Sequence, residues 1–157
     1  MADTIKDLLT ISLQDTYSAE TQILEALPKL EEAASSAQLK QAFREHLQVT
    51  QRQVERLEEV AQILGVEPEG HTCAAMEGLV EEGEELVDEL EAGPVLDAAL
   101  IGAAQKVEHY EIAAYGTLCS MLKSMGRTKA GELLTRLTES EVNPAALAAD
   151  DQSGGAA

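Results

Sequence analysis

The sequence predicts an all-α protein that folds as an antiparallel helical bundle. Hydrophobic residues make up 45% of the 157 residues, but aromatic residues make up only 3% and Trp is absent. Ala, Leu, Glu and Gln dominate instead, and these residues favour helix over strand. Apolar residues also recur at alternating spacings of three and four, the pattern of helices that bury one face. The length suits one domain with its own core.

Five helices are predicted from the segments with this apolar spacing and from the residues that end them. Their bounds are 4–32, 37–64, 72–91, 94–125 and 128–142. Ser35 and Gln38 have the spacing of a capping box before the second helix, and Gly65 ends that helix. Gly93-Pro94 suits the end of one helix and the start of the next.

Proline marks two further positions in the predicted helices. Pro28 predicts a kink or an early end in the first helix. Pro144 disfavours helix at Asn143, so the fifth helix should end just before it. Residues 148–157 are small and polar, and we expect a disordered tail there. We therefore expect one helical domain over residues 1–147.

The helix lengths predict how the bundle is connected. The first two helices form one long hairpin with a short turn, and the last two form another. About 30 residues that contain the third helix join the hairpins. A long crossover of this kind links the halves of ferritin-like bundles. The predicted fold is therefore a ferritin-like antiparallel bundle of two long hairpins, joined by a crossover with an extra helix.

The formal net charge of −18 restricts the partners of the protein. It argues against nucleic acid, which needs a basic surface facing its phosphates, and against anionic membranes. No segment has the roughly 18 uncharged apolar residues of a membrane span, and the N-terminus lacks the pattern of a secretory signal. We therefore expect a cytoplasmic protein. A homodimer is expected as well, because a thin bundle rich in Ala and Leu leaves apolar faces to cover.

The two cysteines, Cys73 and Cys119, form no CxxC pair, so a zinc site is not expected. Both fall in apolar segments that are predicted to be helical. We expect them to be free thiols buried in the bundle.

Polar residues interrupt the apolar stripes of the first two helices near their centres. Glu20 lies in the middle of the first stripe, and His46, Thr50 and Gln53 lie in the middle of the second. A turn near residue 34 or 35 would place Glu20, His46 and Gln53 at one depth. The flanking stripe positions are Leu9, Leu13, Thr16, Ile23, Leu27 and Leu30 on the first helix and Leu39, Phe43, Leu57, Val60 and Leu64 on the second.

The fourth and fifth helices show the same interruption. The predicted stripes are Leu96, Leu100, Ala104, Val107, Glu111, Ala114 and Leu118 on the fourth, and Ala130, Leu134, Leu137 and Glu141 on the fifth. Glu108 lies beside the fourth stripe, three residues before Glu111, and residues three apart share a helix face. A turn near residue 127 brings Glu111 opposite the segment that begins at Glu141. Carboxylates should therefore meet inside this hairpin too.

Carboxylates that converge inside a bundle need a compensating charge. A buried carboxylate is costly unless it is paired or bound to a metal, and several together repel one another and hold protons. No Lys or Arg falls on the central stripes, whereas carboxylates from four helices with His form the ligand set of a di-iron or di-manganese site. The candidate metal ligands are Glu20, His46, Gln53, Glu108, Glu111 and Glu141.

Simpler interpretations remain open for each residue alone. A single Glu on an apolar stripe can lie at its edge and reach water, and His46 can be a hydrogen-bonded core residue. His109 can point outward. Tyr17, Tyr110 and Tyr115 can fill the core, hydrogen-bond to ligands or take part in one-electron steps. Polar interruptions at matching depths on four helices favour the metal site.

Five stretches of the sequence stand out as motifs. They are Asp15-Thr-Tyr-Ser-Ala-Glu20, Ala26-Leu-Pro-Lys29, Ala75-Met-Glu-Gly78, Asp97-Ala-Ala-Leu-Ile101 and Ala103-Ala-Gln-Lys-Val-Glu-His-Tyr-Glu-Ile-Ala-Ala-Tyr-Gly116. Together they resemble the YciE/YciF-type family of bacterial ferritin-like proteins, over roughly residues 5–141. The resemblance implies a bundle related to rubrerythrins and ferritins, often dimeric and linked to stress. It also implies a carboxylate dimetal site without a firmly assigned reaction.

The family's site positions map onto this sequence with two departures. They correspond to Glu20, His46, position 49, Gln53, Glu108, Glu111 and Glu141. The family commonly has Glu at the position held here by Val49, which cannot bind a metal. Its last helix usually continues through a Glu-rich stretch ending in Thr-Asp, where this chain has Pro144. Both departures remove oxygen ligands.

Two function hypotheses follow from these residues and from the resemblance. The first is a ferritin-like stress-associated protein with two iron ions, or manganese, that handles iron, oxygen or peroxide. Glu20 and Glu141 would then be terminal ligands, and Glu108 or Glu111 would bridge. The second is a homodimeric helical stress-response or structural module whose metal site has decayed.

Overall fold

The fold is described here for residues 3–140 of a computed structural model, with side chains through residue 135. The five helices are α1 (Ile5–Ala33), α2 (Ala37–Leu64), α3 (Ala74–Glu89), α4 (Pro94–Ser124) and α5 (Thr128–Ser140), and no strand occurs in this range. The all-α prediction is confirmed, and the predicted helix bounds agree closely. The predicted end of the fifth helix at residue 142 and the predicted tail at 148–157 lie outside the described residues.

The helices pack as two hairpins with the third helix against one side. α1 packs along α2, and α4 packs along α5, in each case across a short turn that makes the two helices antiparallel. The hairpins meet where α1 contacts α4 and where α2 contacts α5, and α3 lies against α1 and α4. This is the predicted arrangement of two hairpins joined by a crossover with an extra helix.

The apolar core consists of two clusters with a polar layer between them. One cluster includes Leu13, Leu57 and Leu118, and the other includes Ile23, Phe43 and Leu100. Along α1, α2 and α4 alike, the buried residues between these clusters are polar. They are Thr16, Glu20, Thr50, Gln53, Glu108 and Glu111. The antiparallel helices therefore bring their polar centres to one depth.

Two predicted helix ends differ from the structure. The cap of α2 is Ser36 and not Ser35, because the Ser36 hydroxyl accepts from the backbone N–H of Leu39. The early end that Pro28 was predicted to cause as an alternative to a kink does not occur, because α1 continues to Ala33. Burial of the apolar face on both sides of the proline outweighs the roughly 3 kcal/mol that proline costs inside a helix.

Cys73 lies at the end of a helix rather than inside one. It is the N-cap of α3, where its thiol accepts from the backbone N–H of Met76. The predicted burial of a free thiol is confirmed for Cys73, whereas Cys119 is only half-buried.

The crossover between α2 and α3 is fastened to α1. The Gln14 side-chain amide donates to the backbone carbonyls of Glu67 at 3.1 Å and Glu69 at 2.8 Å. Four residues further along α1, the Ser18 hydroxyl accepts from the backbone N–H of Cys73 at 3.0 Å. Gln14 and Ser18 lie on the same face of α1, and their contacts fix the path of the loop into α3.

Asp97 ties the first hairpin to the start of α4. Its two carboxylate oxygens accept from the backbone N–H groups of Ser35, at 2.7 Å, and Ser36, at 2.8 Å. Asp97 also lies in the first turn of α4, where a negative charge is favoured by the helix dipole. One side chain therefore fixes where the first turn meets the second hairpin.

Replacing this side chain should destabilise the fold. Asp97→Ala should lower the free energy of unfolding by about 1–2 kcal/mol, because two backbone donors lose a charged acceptor. Asp97→Asn should lose less, since it keeps one acceptor oxygen. Urea denaturation of both variants and of Glu91→Ala, an exposed control, measures the difference. An unfolding curve of Asp97→Ala that overlays the wild type would contradict this role.

Over the part of the chain that the structure describes, no helix is long and apolar enough to cross a membrane.

Candidate metal centre

The polar layer contains most of the candidate ligands predicted from the sequence. Glu20 and Gln53 are completely buried, Glu111 is 2% exposed and Glu108 is 8% exposed. The His46 side chain is 13% exposed and joins the same layer from α2. Three helices thus contribute acidic, amide and imidazole side chains to one level of the bundle.

The contacts within the layer link these side chains electrostatically. His46 Nε2 lies 3.5 Å from Glu111 Oε1. The Glu20 carboxyl interacts with the charge of Glu111 and lies near the Tyr115 hydroxyl. The charge of Glu108 raises the pKa of both His46 and Glu111. The side chains therefore form one electrostatic group rather than separate buried residues.

Burial dominates the protonation of this group. It raises the pKa of Glu20 well above its usual value, and the charge of Glu111 raises it further. Burial, reinforced by Glu108, raises the pKa of Glu111 to about 8. The pKa of Glu108 is raised and that of His46 is lowered, in both cases mainly by burial. Without a cation, Glu111 therefore holds its proton near neutral pH, and the raised pKa of Glu20 favours its protonated form as well.

Several buried polar atoms of the layer have no hydrogen-bond partner among the described residues. They are both carboxyl oxygens of Glu20, Oε1 and Nε2 of Gln53, Oε2 of Glu108 and Oε1 of Glu111. Buried polar atoms are ordinarily paired, because desolvation without a partner costs about 1–3 kcal/mol. Oxygen atoms without a partner beside a neutral imidazole are the donors that iron or manganese accepts. The chemistry of this donor set therefore fits such a cation.

The side chains are not arranged as a preformed coordination shell. Within the described range, no three His, Cys, Asp or Glu side chains stand close enough together to hold a metal ion. Glu141 lies outside the described residues, so its predicted place opposite Glu111 stays a prediction. Val49 is half-buried between His46 and Gln53 on α2, where the resembled family commonly has Glu.

The stripe predicted for α4 was wrong in its second half. Glu108 and Tyr115 are buried, whereas Val107 and Ala114 are only half-buried. The buried face advances by steps of four, three and four, at 104, 108, 111 and 115, which averages close to the 3.6 residues of one helical turn. This phase places both glutamates of α4 in the polar layer.

The three tyrosines have different surroundings. Tyr115 is completely buried and lies against Glu20, so it belongs to the polar layer. The Tyr17 hydroxyl donates to Glu58 at 3.1 Å, on the outside of the first hairpin. The Tyr110 hydroxyl donates to Asp15 at 2.6 Å and lies 2.9 Å from the Cys73 thiol.

The remaining histidines lie away from the polar layer. His109 is exposed, and its Nδ1 lies 2.8 Å from the backbone carbonyl of Gln105. His71 Nε2 lies 3.2 Å from Asp15, the residue that also accepts from Tyr110. Asp15, His71, Tyr110 and Cys73 thus form a second cluster. Sequence patterns do not predict it, because it depends on the path of the crossover loop.

The fold and its buried acidic layer define a class of all-helical proteins built from two hairpins around polar side chains. Residues 4–148 match the family model described as "Domain of unknown function (DUF892)". The protein YciF of Escherichia coli strain K12 is 48% identical over 144 residues, which cover 88% of this chain and 84% of YciF. The chain belongs to this family.

Two solved structures share the fold. The crystal structure of the E. coli stress protein YciF superimposes with a TM-score of 0.89 at 44% identity, covering 94% of each chain. YcfI of Rhodopseudomonas palustris, provisionally described as a structural protein, superimposes with a TM-score of 0.87 at 42% identity. That match covers 96% of this chain and 94% of YcfI. The resemblance drawn from the sequence motifs is thus confirmed at the level of the family.

Proposed function

We propose that this protein is a ferritin-like stress-associated protein that binds iron in the polar layer, with manganese as the alternative cation. The observation that carries the proposal is the group of buried oxygen atoms without partners on Gln53, Glu108 and Glu111. A divalent cation would supply both the missing partners and the compensating charge.

Each side chain has a defined part in such a site. Glu20, Glu108 and Glu111 would hold the cation through carboxylate oxygens. His46 would bind it directly or orient Glu111, to which it is already close. The Tyr115 hydroxyl, which lies near Glu20, would help to orient its carboxylate. Bound iron would supply one-electron chemistry toward oxygen or peroxide, as in other carboxylate-bound iron sites.

Binding would require the side chains to turn toward one point and to lose protons. Glu111, whose pKa is about 8, must release a proton to bind a cation at neutral pH, and the raised pKa of Glu20 opposes binding in the same direction. Metal affinity should therefore rise with pH, and binding should acidify an unbuffered solution. The absence of Glu at position 49 leaves fewer carboxylates than the resembled family has, which favours one ion over two.

Metal uptake by Glu20→Ala tests the proposal. The purified full chain is freed of metal, incubated with Fe(II) without oxygen and then desalted. Wild type should retain about one ion per chain, whereas Glu20→Ala should retain only the background amount. Glu25→Ala is the matched control, because Glu25 lies on the same helix with its side chain in solvent. Bound iron is measured by plasma emission and the released protons by a pH indicator.

Metal content that Glu20→Ala leaves unchanged would refute the proposed site. Loss of Glu20 should not unfold the metal-free protein, because it removes a buried carboxyl group. Circular dichroism should therefore show the same helix content in wild type and variant.

A second candidate function is a homodimeric helical module without metal. The lack of a preformed coordination shell in the described range favours it, as does the replacement of a ligand by Val49. The R. palustris relative carries a structural description. The iron-uptake experiment separates the two candidates, because this module would retain background metal in wild type and variant alike.

A further inference from the structure

An apolar cavity of about 260 Å³ opens between α1, α3 and α4. Its walls come from aliphatic side chains of these three helices, including Ile23, Leu27, Leu79, Val80 and Val107. A cavity of roughly 150 Å³ already holds a benzene molecule. The cavity therefore has room for a monocyclic molecule with a short side chain.

The floor of the cavity is polar and belongs to the candidate metal centre. His46 is the lining residue that α2 contributes. The His46 side chain is only 13% exposed, whereas those of Lys29 and Glu84 are 66% and 47% exposed, so His46 lies at the inner end of the cavity. The same imidazole lies 3.5 Å from Glu111. The cavity thus leads from the surface to the polar layer.

The mouth of the cavity carries charged side chains. Lys29 and Glu84 form an ion pair at 2.7 Å across the entrance, and Asp88 lies beside them. An apolar helix of a partner protein would have to bury these charges, which is costly without new partners. A small molecule that passes between them leaves them in water. The entrance therefore suits a small ligand better than a protein surface.

We propose that this cavity binds a small, neutral, mainly apolar molecule whose one hydroxyl group reaches His46. A substituted phenol has the required size and the single oxygen. The imidazole supplies one hydrogen-bond partner at the floor, while aliphatic side chains contact the rest of the ligand. The ligand's role as a substrate or effector of the metal centre rests on the proposed function, whereas its binding does not.

Gly83 gives a direct way to fill the cavity. It is a buried glycine of α3 in the cavity wall, and a Cβ built on it would lie 3.9 Å from Leu30. A larger side chain at this position can therefore extend into the cavity without a close contact at its first atom. Gly78 lies on the same helix but is exposed, with no neighbouring atom within 4 Å of a Cβ. It is the matched control.

Titration of the metal-free full chain with 4-propylphenol tests the proposal. Calorimetry should show saturable binding, and butylbenzene, which is similar in size but lacks the oxygen, should bind more weakly. Gly83→Leu should weaken phenol binding at least about tenfold, because it occupies the volume of several ligand carbons. Gly78→Leu should bind as wild type does. In methyl NMR spectra, the phenol should shift the signals of Ile23, Leu27 and Val107.

Two controls keep the test decisive. The methyl signals of Leu118 and Leu122, in the other apolar cluster, should not move. If Gly83→Leu does not fold, the map of shifted signals in the wild type still locates the ligand. Because the protein is free of metal throughout, failure of iron uptake and failure of phenol binding are separate results.

Three outcomes would overturn the proposal. They are an absence of saturable binding, shifts confined to the other cluster, and equal loss of binding in Gly83→Leu and Gly78→Leu. Equal affinity for butylbenzene and for the phenol would refute the contact with His46.

Discussion

The metal-free protein should be destabilised through Glu111 as the pH rises from about 5 to 8, the pKa that its carboxyl group has in the folded state. In the unfolded chain this carboxyl has an ordinary pKa of 4.5. Between these two values the folded state binds a proton that the unfolded state has lost. Stability therefore falls with increasing pH in this window.

The size of this effect follows from the pKa difference. Each pKa unit is worth roughly 1.4 kcal/mol. Proton release by Glu111 in the unfolded chain should therefore lower the free energy of unfolding by a few kcal/mol by pH 8. Burial is the main cause, and the neighbouring charge of Glu108 adds to it. Below the unfolded-state pKa both states are protonated, and the penalty is absent.

Glu111→Gln isolates the contribution of this group. His46 acts in the opposite direction, because burial lowers its pKa and its neutral form is favoured in the folded state. The pH profile of wild type alone is therefore a sum of opposing effects. The free energy of unfolding of Glu111→Gln minus that of wild type should rise steadily from pH 5 to 8. Guanidinium denaturation in the presence of a chelator measures it.

Glu25→Gln serves as the control for the loss of one carboxylate. Glu25 is exposed, so this variant should differ only slightly from wild type in its free energy of unfolding. A difference between Glu111→Gln and wild type that does not change with pH would show that Glu111 is solvated in the folded protein. Buried protonation of the polar layer would then be rejected.

Val49→Glu should increase the amount of metal bound and the affinity for it. Val49 lies on α2 three residues after His46 and four before Gln53, on the side of the helix that carries both. A carboxylate there adds an oxygen ligand to the polar layer. We expect the iron retained after desalting to rise from about one ion per chain toward two.

The same substitution should have the opposite effect without metal. A further carboxylate in a half-buried position raises the repulsion within the layer, so the metal-free variant should melt at a lower temperature than wild type. Addition of Mn(II) should restore or exceed the wild-type melting temperature. Val49→Gln, which has the same size without the charge, should gain little.

A lack of gain in both metal content and metal-induced melting temperature would show that position 49 does not face the other ligands. The assignment of this position by resemblance to the family would then be wrong. Calorimetric unfolding with and without Mn(II) provides the comparison.

The depth of the polar layer could be predicted because it depends only on helix periodicity and turn position. Glu20 and Gln53 are far apart in sequence, yet one antiparallel turn brings their stripes to the same level. Both residues are completely buried, as the stripe pattern predicts. Periodicity is a strong signal here because each helix is long and buries one continuous face.

The exact phase of the long fourth helix was harder to predict. A stripe predicted in steps of three and four departs from the observed buried face when the steps of that face follow in a different order. This departure assigned Val107 and Ala114 to the core in place of Glu108 and Tyr115. This difference of one residue moves Glu108, already a candidate ligand beside the predicted stripe, and Tyr115 onto the buried face.

Contacts made by loops could not be predicted from periodicity. The cap of α2 depends on Asp97, which lies more than 60 residues away in the sequence. The cluster of Asp15, Tyr110 and Cys73 depends on how the crossover lies on α1. Such contacts follow from the tertiary fold, and single-sequence patterns carry no direct signal for them.

The fastening of the crossover at both ends bears on how two copies of the chain can associate. Gln14 and Ser18 hold the beginning of the crossover on α1. Asp97, in the first turn of α4 just after the crossover, binds the turn between α1 and α2. An exchange of the second hairpin between copies would have to break the Asp97 contacts before they re-form in the other copy, while Gln14 and Ser18 keep the first part of the crossover from opening as a hinge. We therefore expect these contacts to slow domain swapping.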